Sequence, residues 1–398
     1  MSGPLKDLRI LDLTSILMGP YATQIMGDLG ADVVKIEPPS GDAVRGIGPM
    51  RNPGMGHIFL HVNRNKRSLV LDLKHSDGLA AFYSLAKTAD VIIYSIRPQS
   101  MERLGIDYDR LKKINPRIIY AGLYGYSEAG PYAGKPAYDD LIQGASAVPS
   151  IMSMASGDEP RYVPLTLADR TVGLMASNTI LAAVVSRAQS GLGQQIEIPM
   201  FETMTQYVLS DHLAGETFIP AEGPTGYPRL LVKERRPYQT LNGFICVLIY
   251  SDKQWERFLT LIGHSDWFVN DPRFATIGVR TQHINDLYRI VGQAVATRTT
   301  QEWISLLEKA DIPCMPLHDI ESLSKDPHLE AVGMIREVLH PTEGPMRQLG
   351  VPVRLFGTPV LDVQKPAPQL GQHSTEILRE AGYSEQNISS LIERGITL

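Results

Sequence analysis

One aspartate lies where side-chain chemistry and helix formation coincide. Asp169 directly precedes an apolar stretch, Arg170 to Arg187, whose composition predicts a long helix. Aspartate is a favoured N-cap residue, so a purely structural role explains it equally well. A carboxylate at a helix N-terminus is also stabilised in its ionised form, and a carboxylate must be ionised to act as a nucleophile. The residues alone leave Asp169 open as a cap, as a nucleophile, or as both.

A second chemical feature is a polar, basic segment, residues 63–68, directly before a predicted strand. A solvated turn and a loop that donates hydrogen bonds to phosphates explain it equally well. Four further cations could join the same phosphate patch, and each alone fits an ordinary surface charge: Lys74, Arg97, Arg103 and Lys135.

Several catalytic motifs are missing from the sequence. The turn after the first predicted strand, residues 14–20, has no G-x-G-x-x-G pattern, which argues against a nicotinamide or flavin site. The ten histidines form no HExxH motif and no G-x-S-x-G elbow is present, which disfavours a zinc enzyme and a serine hydrolase of that class. The apolar part of the turn, Ile16 to Met18, suits contact with the flat or thiol-bearing end of a ligand.

The elements around these residues alternate between strand and helix. Apolar runs predict strands at 8–13, 32–37, 68–73, 89–94, 117–121 and 195–198, with helices at 20–29 and 77–87. This alternation is typical of parallel βαβ units in a doubly wound α/β sheet. An irregular stretch rich in proline, glycine and charge, residues 221–237, predicts a linker to a smaller α+β part.

Composition is that of an ordinary globular protein, with 43% hydrophobic and 20% charged residues. The net charge of −5 lacks the basic excess of nucleic-acid binders, so no nucleic-acid partner is expected. Cys246 and Cys314 form no CxxC motif, so we expect a cytoplasmic protein without disulfides. The N-terminus has no apolar h-region, and the stretch from Thr179 to Val185 is too short to cross a bilayer. We therefore expect no signal peptide and no membrane partner.

A series of spaced motifs runs along nearly the whole chain. They are Leu11 to Thr14, Gly19-Pro20, Gly27 to Glu37, Gly41-Asp42, Arg45, Asn63 to Ser68, Leu71 to Lys74, Ala168-Asp169, Ser190 to Gln194, Asp311 to Cys314, Asp326-Pro327, Leu329 to Met334 and Leu370 to Ser374. Taken in order, these motifs resemble those of the class III CoA transferases, the group of the formyl-CoA:oxalate and carnitine CoA-transferases.

The resemblance implies a fold, a dimer and a set of site residues. Members of the family have a large Rossmann-like domain and a smaller α+β domain, and two chains interlock into a homodimer. For this chain we expect the large domain at 1–200 and again at 326–398, a linker at 201–235 and the small domain at 236–325. The nucleophile of the family matches Asp169. The residues that match CoA contacts are Ile16, Leu17, Met18, Leu71, Asp72, Leu73, Lys74, Ser95, Ile96, Arg97, Arg103, Lys135 and Tyr138.

The resemblance also implies an activity. CoA would pass from an acyl-CoA, by analogy succinyl-CoA, to a small carboxylic acid through an aspartyl anhydride and an aspartyl-CoA thioester. The CoA thioester is then a substrate, and neither a permanently bound cofactor nor a metal is expected. Three arginines are candidates for holding a second anionic group of a substrate: Arg45, Arg170 and Arg236.

The chain departs from the family pattern at several positions. Ser95-Ile96 stands where many relatives carry Asn-Phe, and Pro38 stands where some carry arginine, so the adenine and phosphate contacts differ from the usual set. No run of consecutive glycines lies between Ala221 and Gly243, which argues against oxalate as the acceptor.

Two other functions stay open beside transfer. An α-methylacyl-CoA racemase needs a base and an acid on opposite faces of its substrate, and Tyr138 stands where the racemases have a histidine. This replacement disfavours racemisation. A non-catalytic acyl-CoA-binding protein would have no activity that depends on Asp169.

Overall fold

A computed structural model describes residues 3–358 and 365–398 of the chain. Met1 and Ser2 of the N-terminal segment, and residues 359–364 of the expected return to the large domain, lie outside the described residues.

The chain forms two compact units. The first holds the residues up to Ser146, Pro164–Gln206 and His328–Leu398, and the second holds Ala147–Val163 and Tyr207–Pro327. A boundary between the two units falls after Gln206, inside a continuous helix and within the expected linker at 201–235. The structure also places residues 147–163, expected in the large domain, in the second unit.

The first unit is built on a six-stranded parallel sheet in the order β3-β2-β1-β4-β5-β6. Its strands are β1 (Arg9–Leu13), β2 (Asp32–Glu37), β3 (Lys66–Val70), β4 (Val91–Tyr94), β5 (Ile119–Tyr124) and β6 (Gln195–Pro199). Strands β1 to β5 are almost completely buried, as expected for parallel strands with both faces covered. The expected α/β fold with a parallel sheet is confirmed. The strand order reverses between β1 and β4, and ligands of such sheets bind at the carboxyl ends of the strands beside that point.

The helices lie between and after these strands. Within the part of the chain that the structure describes they are α1 (Met18–Asp28), α2 (His57–Val62), α3 (Ser76–Ala86), α4 (Pro98–Leu104), α5 (Tyr108–Ile114), α6 (Asp139–Ala145), α7 (Val148–Ser156), α8 (Leu167–Ser190), α9 (Met200–His212), α10 (Pro228–Leu231), α11 (Asp252–Leu261), α12 (Trp267–Asn270), α13 (Ile277–Gln282), α14 (Ile284–Val295), α15 (Thr300–Lys309), α16 (Ile320–Leu323), α17 (Pro327–Ala331), α18 (Ser374–Glu380) and α19 (Glu385–Glu393). Short 3₁₀ turns form at Ala43–Gly46, Ala214–Thr217 and Pro272–Phe274.

The second unit has its own core around a small antiparallel sheet. The strands β7 (Tyr238–Gln239), β8 (Phe244–Val247) and β9 (Cys314–Pro316) pair in that order. Helices α11, α14 and α15 bury apolar side chains in this core, among them Trp255, Leu287 and Trp303. A further hairpin, β10 (Ile335–His340) with β11 (Gly344–Leu349), belongs to the first unit.

Helix α8 is longer than its sequence suggests. Leu167–Ser190 runs for 24 residues, and an 18-residue window in it has a mean hydropathy of 1.2, enough by length and composition alone to cross a membrane. The expectation that no apolar stretch reaches that length is therefore corrected. The helix packs against α1, where a Cβ on Gly173 would lie 2.8 Å from the Met18 carbonyl oxygen. This packing buries one side of the helix, including Val172, Ala176 and Ile180.

The basic segment at 63–68 is neither a solvated turn nor a phosphate-binding loop. Lys66 and Arg67 lie within β3, and Arg64, Lys66 and Arg67 are all buried. Arg64 binds both carboxylate oxygens of Asp28, at 2.9 and 2.6 Å. Buried charges are stable only when they are paired, so these cations are committed to the core and both interpretations were wrong.

The centre of this charge network is Asp12, which is fully buried in β1. Its carboxylate accepts hydrogen bonds from Thr14, from Thr23 and from Lys66 Nζ, the last at 3.0 Å. Burial alone would raise the pKa of Asp12, but the charges of Lys66 and Lys35 outweigh burial and lower it to about 2. Asp12 is therefore ionised at any physiological pH, and it binds Lys66 in the core.

The outer edge of the sheet is closed by the last segment of the chain. β3 is the edge strand, and residues 365–398 pass beside it. The Asn65 N–H donates to the Lys365 carbonyl at 2.9 Å, and the His373 N–H donates to the Ser68 carbonyl at 3.0 Å. Thr397 donates through its hydroxyl to the Val70 carbonyl at 2.7 Å. An edge that would otherwise expose backbone donors and acceptors is thus covered.

Replacing Arg64 should destabilise the first unit strongly. Arg64→Ala leaves the Asp28 carboxylate in the core without its bidentate partner, so we expect the free energy of unfolding to fall by about 3 kcal/mol. Denaturant unfolding followed by circular dichroism measures this loss. Arg110→Ala is the matched control, because its ion pair with Asp107 lies on the surface and should change the stability by less than about 1 kcal/mol. Equal losses in the two variants would contradict the assignment of the buried pair.

Candidate active site

A cavity of about 240 Å³ opens where β1, β4 and β5 end. The turn after β1, the start of α4 after β4 and the loop after β5 supply most of its walls. Its lining residues are Ser15, Ile16, Leu17, Met18, Ser95, Arg97, Leu123, Tyr124, Gly125, Lys135, Pro136, Ala137, Tyr138, Asp169 and Met200. The sheet topology places the cavity beside the reversal of strand order, where ligands of this fold class bind.

Asp169 reaches this cavity from the first turn of α8. The helix begins at Leu167 after Thr166, so Asp169 lies inside the helix and the N-cap interpretation was wrong. Its backbone N–H donates to Asp139 Oδ1 at 2.9 Å, so the carboxylate of another residue takes the capping role. Within residues 3–358 and 365–398, no group donates a hydrogen bond to the Asp169 carboxylate, which leaves it available to a ligand.

The surroundings of Asp169 disfavour its charge. Burial is the main cause and the nearby Asp139 carboxylate adds to it, while the Arg170 guanidinium acts in the opposite direction. Together they raise the pKa of Asp169 to about 7. A carboxylate that titrates near neutrality is more basic than an ordinary one and still substantially ionised at pH 7, which suits a nucleophile.

The turn after β1 has a strained backbone. Ile16 has φ +66°, a left-handed conformation that β-branched residues rarely adopt. Its N–H donates to Asp42 Oδ1 at 3.1 Å, and Asp42 Oδ2 in turn accepts from Lys35 Nζ at 2.8 Å. Lys35 also donates to the Thr14 carbonyl at 3.0 Å. The buried lysine therefore holds the turn that lines the cavity.

Most of the residues expected to contact CoA are divided between two adjoining cavities. Ile16, Leu17, Met18, Ser95, Arg97, Lys135 and Tyr138 lie with Asp169 in the first. Leu71, Asp72, Leu73, Lys74 and Ile96 line a second cavity of about 420 Å³. Ser15 is shared by both linings. Arg103 lines neither cavity; its guanidinium donates to Ser100 Oγ at 2.8 Å on the exposed side of α4.

The three candidate arginines have different surroundings. Arg45 binds both oxygens of Glu37, at 2.7 and 2.8 Å, and is 5% exposed, so it is committed to the core. Arg236 lies in the second unit and pairs with Glu234 at 3.1 Å. Arg170 stacks on the Tyr21 ring at 4.4 Å and forms no ion pair with any residue that the structure describes. Of the three, Arg170 alone is an unpaired cation next to Asp169.

Sequence reasoning missed several residues that shape this site. The sequence analysis assigned no role to Asp139, yet its carboxylate accepts a hydrogen bond from the Asp169 backbone and helps to raise the pKa of the Asp169 carboxyl group. Tyr124 and Met200 line the cavity from the ends of β5 and β6 without any recognisable motif. Among the described residues, no group of three or more histidine, cysteine, aspartate and glutamate side chains is arranged to hold a metal ion.

Comparison with solved structures finds the same fold in other proteins. The hypothetical protein Rv3272 from Mycobacterium tuberculosis superposes with a TM-score of 0.81 at 27% identity, covering 94% of this chain and 99% of that one. A CAIB/BAIF family protein from Brucella suis superposes with a TM-score of 0.78 at 27% identity, covering 96% and 100% of the two chains.

Sequence comparison finds relatives of similar length. An acyl-CoA transferase from Fusarium pseudograminearum is 33% identical over 99% of this chain and 88% of its own length. A succinate–glutarate CoA-transferase from Agrobacterium fabrum is 30% identical over 95% of both chains. A formyl-CoA:oxalate CoA-transferase from Escherichia coli O157:H7 is 30% identical over 98% of this chain and 99% of its own length. The model of CoA-transferase family III matches residues 5–374, so the chain belongs to this family and is a CoA-transferase.

Proposed function

We propose that the protein moves CoA from an acyl-CoA to a small carboxylic acid through covalent intermediates on Asp169. The observation that carries this proposal is the Asp169 carboxylate itself. It lies in a cavity at the carboxyl ends of the parallel strands, accepts no hydrogen bond from any described residue, and has a pKa raised to about 7.

The two adjoining cavities suggest how a CoA thioester would lie. The larger one has a mainly apolar wall, including Leu13, Ile36 and Leu104, and suits the adenosine end. The smaller one brings the thioester to Asp169, and its cations Arg97 and Lys135 suit the phosphates between the two ends. Neither cation forms an ion pair within the described residues, so both are available to a ligand.

The transfer proceeds in four substitutions at carbonyl carbon. The Asp169 carboxylate attacks the thioester carbonyl, which gives an aspartyl–acyl anhydride and CoA thiolate. The thiolate attacks the aspartyl carbonyl, which gives an aspartyl-CoA thioester and the free donor acid. The acceptor carboxylate then attacks this thioester and expels CoA thiolate, and the thiolate attacks the acceptor carbonyl of the new anhydride. This last step forms the new acyl-CoA and frees Asp169, so no proton is consumed and the balance needs no redox group.

The fixed position of Asp169 contributes most to the first step. Carboxylates attack thioesters slowly in water, because the reactants must meet and lose their hydration. A carboxylate already held against the bound thioester avoids much of that entropic barrier. The strained turn at Ile16 and the Asp139 bond to the Asp169 backbone both serve to hold this geometry.

We further propose succinyl-CoA as the donor and a dicarboxylic acid as the acceptor. Similarity to a succinate–glutarate CoA-transferase supports this choice, and Arg170 is the cation that we assign to the second carboxylate. The free thiols Cys246 and Cys314 fit the cytoplasmic location that we propose. Screening acceptor acids by CoA exchange tests the assignment: preference for monocarboxylates would contradict it.

A homodimer is also part of the proposal. Helix α8 exposes apolar side chains in the isolated chain, among them Leu174, Met175 and Val185. Exposed apolar groups on one helix are typical of a surface that another chain covers, and the family resemblance implies a second interlocked copy. Mass measurement in solution tests this, and a monomer would contradict it.

Replacing the nucleophile should abolish transfer. In Asp169→Asn the side chain cannot form an acyl bond, so we expect CoA exchange to fall by at least about 10³-fold while acyl-CoA still binds. In the unmodified protein, mass spectrometry after incubation with succinyl-CoA should find an adduct on the peptide that carries Asp169. Asp140→Asn, on the exposed side of α6, is the control and should keep both exchange and adduct. Exchange retained in Asp169→Asn would refute the mechanism.

The pH profile should report the titration of Asp169. The ionised form is the active one, so kcat/KM of the unmodified protein should fall as the pH decreases through about 7. Asp139→Asn removes a nearby negative charge while its amide oxygen can still accept from the Asp169 backbone. We therefore expect the acid limb of the profile to move to lower pH, though not fully, because burial is the larger cause. An unchanged acid limb would contradict this electrostatic account.

The ionised Asp169 carboxylate should lower the stability of the folded protein at high pH. Its folded-state pKa of about 7 lies above the ordinary value of 3.8, so the folded protein binds the proton more tightly than the unfolded chain. The unmodified protein should lose stability as the pH rises from about 4 to about 7, relative to Asp169→Asn, which does not titrate. At pH 8 we expect the variant to be more stable by up to about 4 kcal/mol, measured by denaturant unfolding, with little difference at pH 4. A variant that is less stable at pH 8 would contradict the raised pKa.

A further inference from the structure

The loop between β5 and α6, residues 125–138, forms one wall of the cavity that contains Asp169. It contributes Lys135 and Tyr138 to the lining and has neither helix nor strand. A loop of this length holds a defined shape only if its own polar groups are bonded. The hydrogen bonds that fix this loop therefore affect the position of Lys135.

The first part of the loop is fixed to the sheet and to α9. The Glu128 N–H donates to Glu197 Oε1 at 2.7 Å, and Glu197 lies in β6. The Ser127 N–H donates to Glu202 Oε1 at 3.0 Å, and Glu202 lies in the first turn of α9. These two bonds fix the loop only near its beginning, several residues before Lys135.

The Glu128 side chain connects the later part of the loop to the opposite wall. Glu128 Oε1 accepts from the Gly134 N–H at 3.2 Å, directly before Lys135. Glu128 Oε2 accepts from Gln99 Nε2 at 2.7 Å, in the first turn of α4 and two residues after Arg97. One carboxylate thus bonds both segments that carry the cations of the cavity.

We propose that Glu128 is a positioning residue that keeps Arg97 and Lys135 at the spacing needed for the phosphates of CoA. This inference rests on the proposed function, because it assigns those cations to CoA. Glu128 does not line the cavity and acts only through the two segments that it joins. A carboxylate suits this role because each of its oxygens accepts from one of the two donors. The amide of a glutamine offers one acceptor oxygen and an NH₂ group that faces the second donor.

Kinetics of Glu128→Gln with two thioesters tests the role. We expect KM for acyl-CoA to rise about three- to tenfold with kcat nearly unchanged, since binding is weakened before the chemistry begins. Thiol release from the corresponding acyl-N-acetylcysteamine, which lacks the nucleotide, should keep its rate. Gln99→Ala removes one of the two bonds and should give a smaller change in the same direction. Glu102→Gln, an exposed residue on the same helix α4, is the control and should leave KM unchanged.

The outcomes separate this inference from the proposed function. An unchanged KM in both Glu128→Gln and Gln99→Ala would overturn the positioning role. Equal losses with the truncated thioester and with acyl-CoA, together with a lower melting temperature, would also overturn it, because they indicate a general loss of structure. The Asp169 adduct should form in Glu128→Gln at saturating acyl-CoA. Absence of that adduct from the unmodified protein would instead count against the proposed function.

Discussion

The candidate site depends on the hydrogen bonds that the buried ammonium group of Lys35 donates. This group is fully buried beneath the end of β1, where it donates to the Asp42 carboxylate and to the Thr14 carbonyl. Burial lowers the pKa of a lysine, but the carboxylates of Asp12, Asp42 and Glu37 outweigh burial here, and the pKa of Lys35 is raised. Lys35 is therefore always charged. Its charge orients Asp42, and Asp42 holds the Ile16 backbone in a conformation that an isolated turn would avoid.

The carboxylates of the core and the carboxylate of the cavity have opposite surroundings. In the core, Asp12, Asp28 and Glu37 each accept several hydrogen bonds and each has a cation beside it. In the cavity, Asp169 accepts none from the described residues, and the Asp139 carboxylate repels its charge. Proteins commonly leave a group unsatisfied where they need it to react, and the surrounding structure must be stable enough to tolerate it. The ion pairs under β1 stabilise the sheet from whose end the Asp169 cavity opens.

Local sequence patterns predicted the sheet well, because parallel strands are buried on both faces and appear as apolar runs such as Val91 to Tyr94. They failed at the basic segment, residues 63–68, whose charged side chains suggested a solvent-exposed turn. The partners of Arg64 and Lys66 are Asp28 and Asp12, which lie 36 and 54 positions earlier in the chain. No local pattern reveals such pairs, since they exist only once the strands have assembled.

The candidate site could also be predicted only in part, because some of its properties depend on residues that are distant in the sequence. Of the residues that the family resemblance implied, Asp169 and all the expected CoA contacts except Arg103 line one of the two cavities. The resemblance gave no account of why Asp169 should be basic, because that depends on its distance to Asp139 and on burial. The cap interpretation failed because α8 begins before Asp169, and a side chain from another helix accepts its N–H. The left-handed conformation of Ile16 also had no signal in the sequence, since it is imposed by Asp42.

The closure of the sheet edge by residues 365–398 has a consequence for biosynthesis. A ribosome makes β3 early, but the segment that covers it emerges only after the entire second unit. Throughout that interval the nascent chain carries an open parallel edge, the kind of surface that recruits foreign strands. Two of the five residues of β3, Lys66 and Arg67, are cationic. In the nascent chain these two cations disfavour such pairing. In the folded protein they form ion pairs that hold β3 in the sheet.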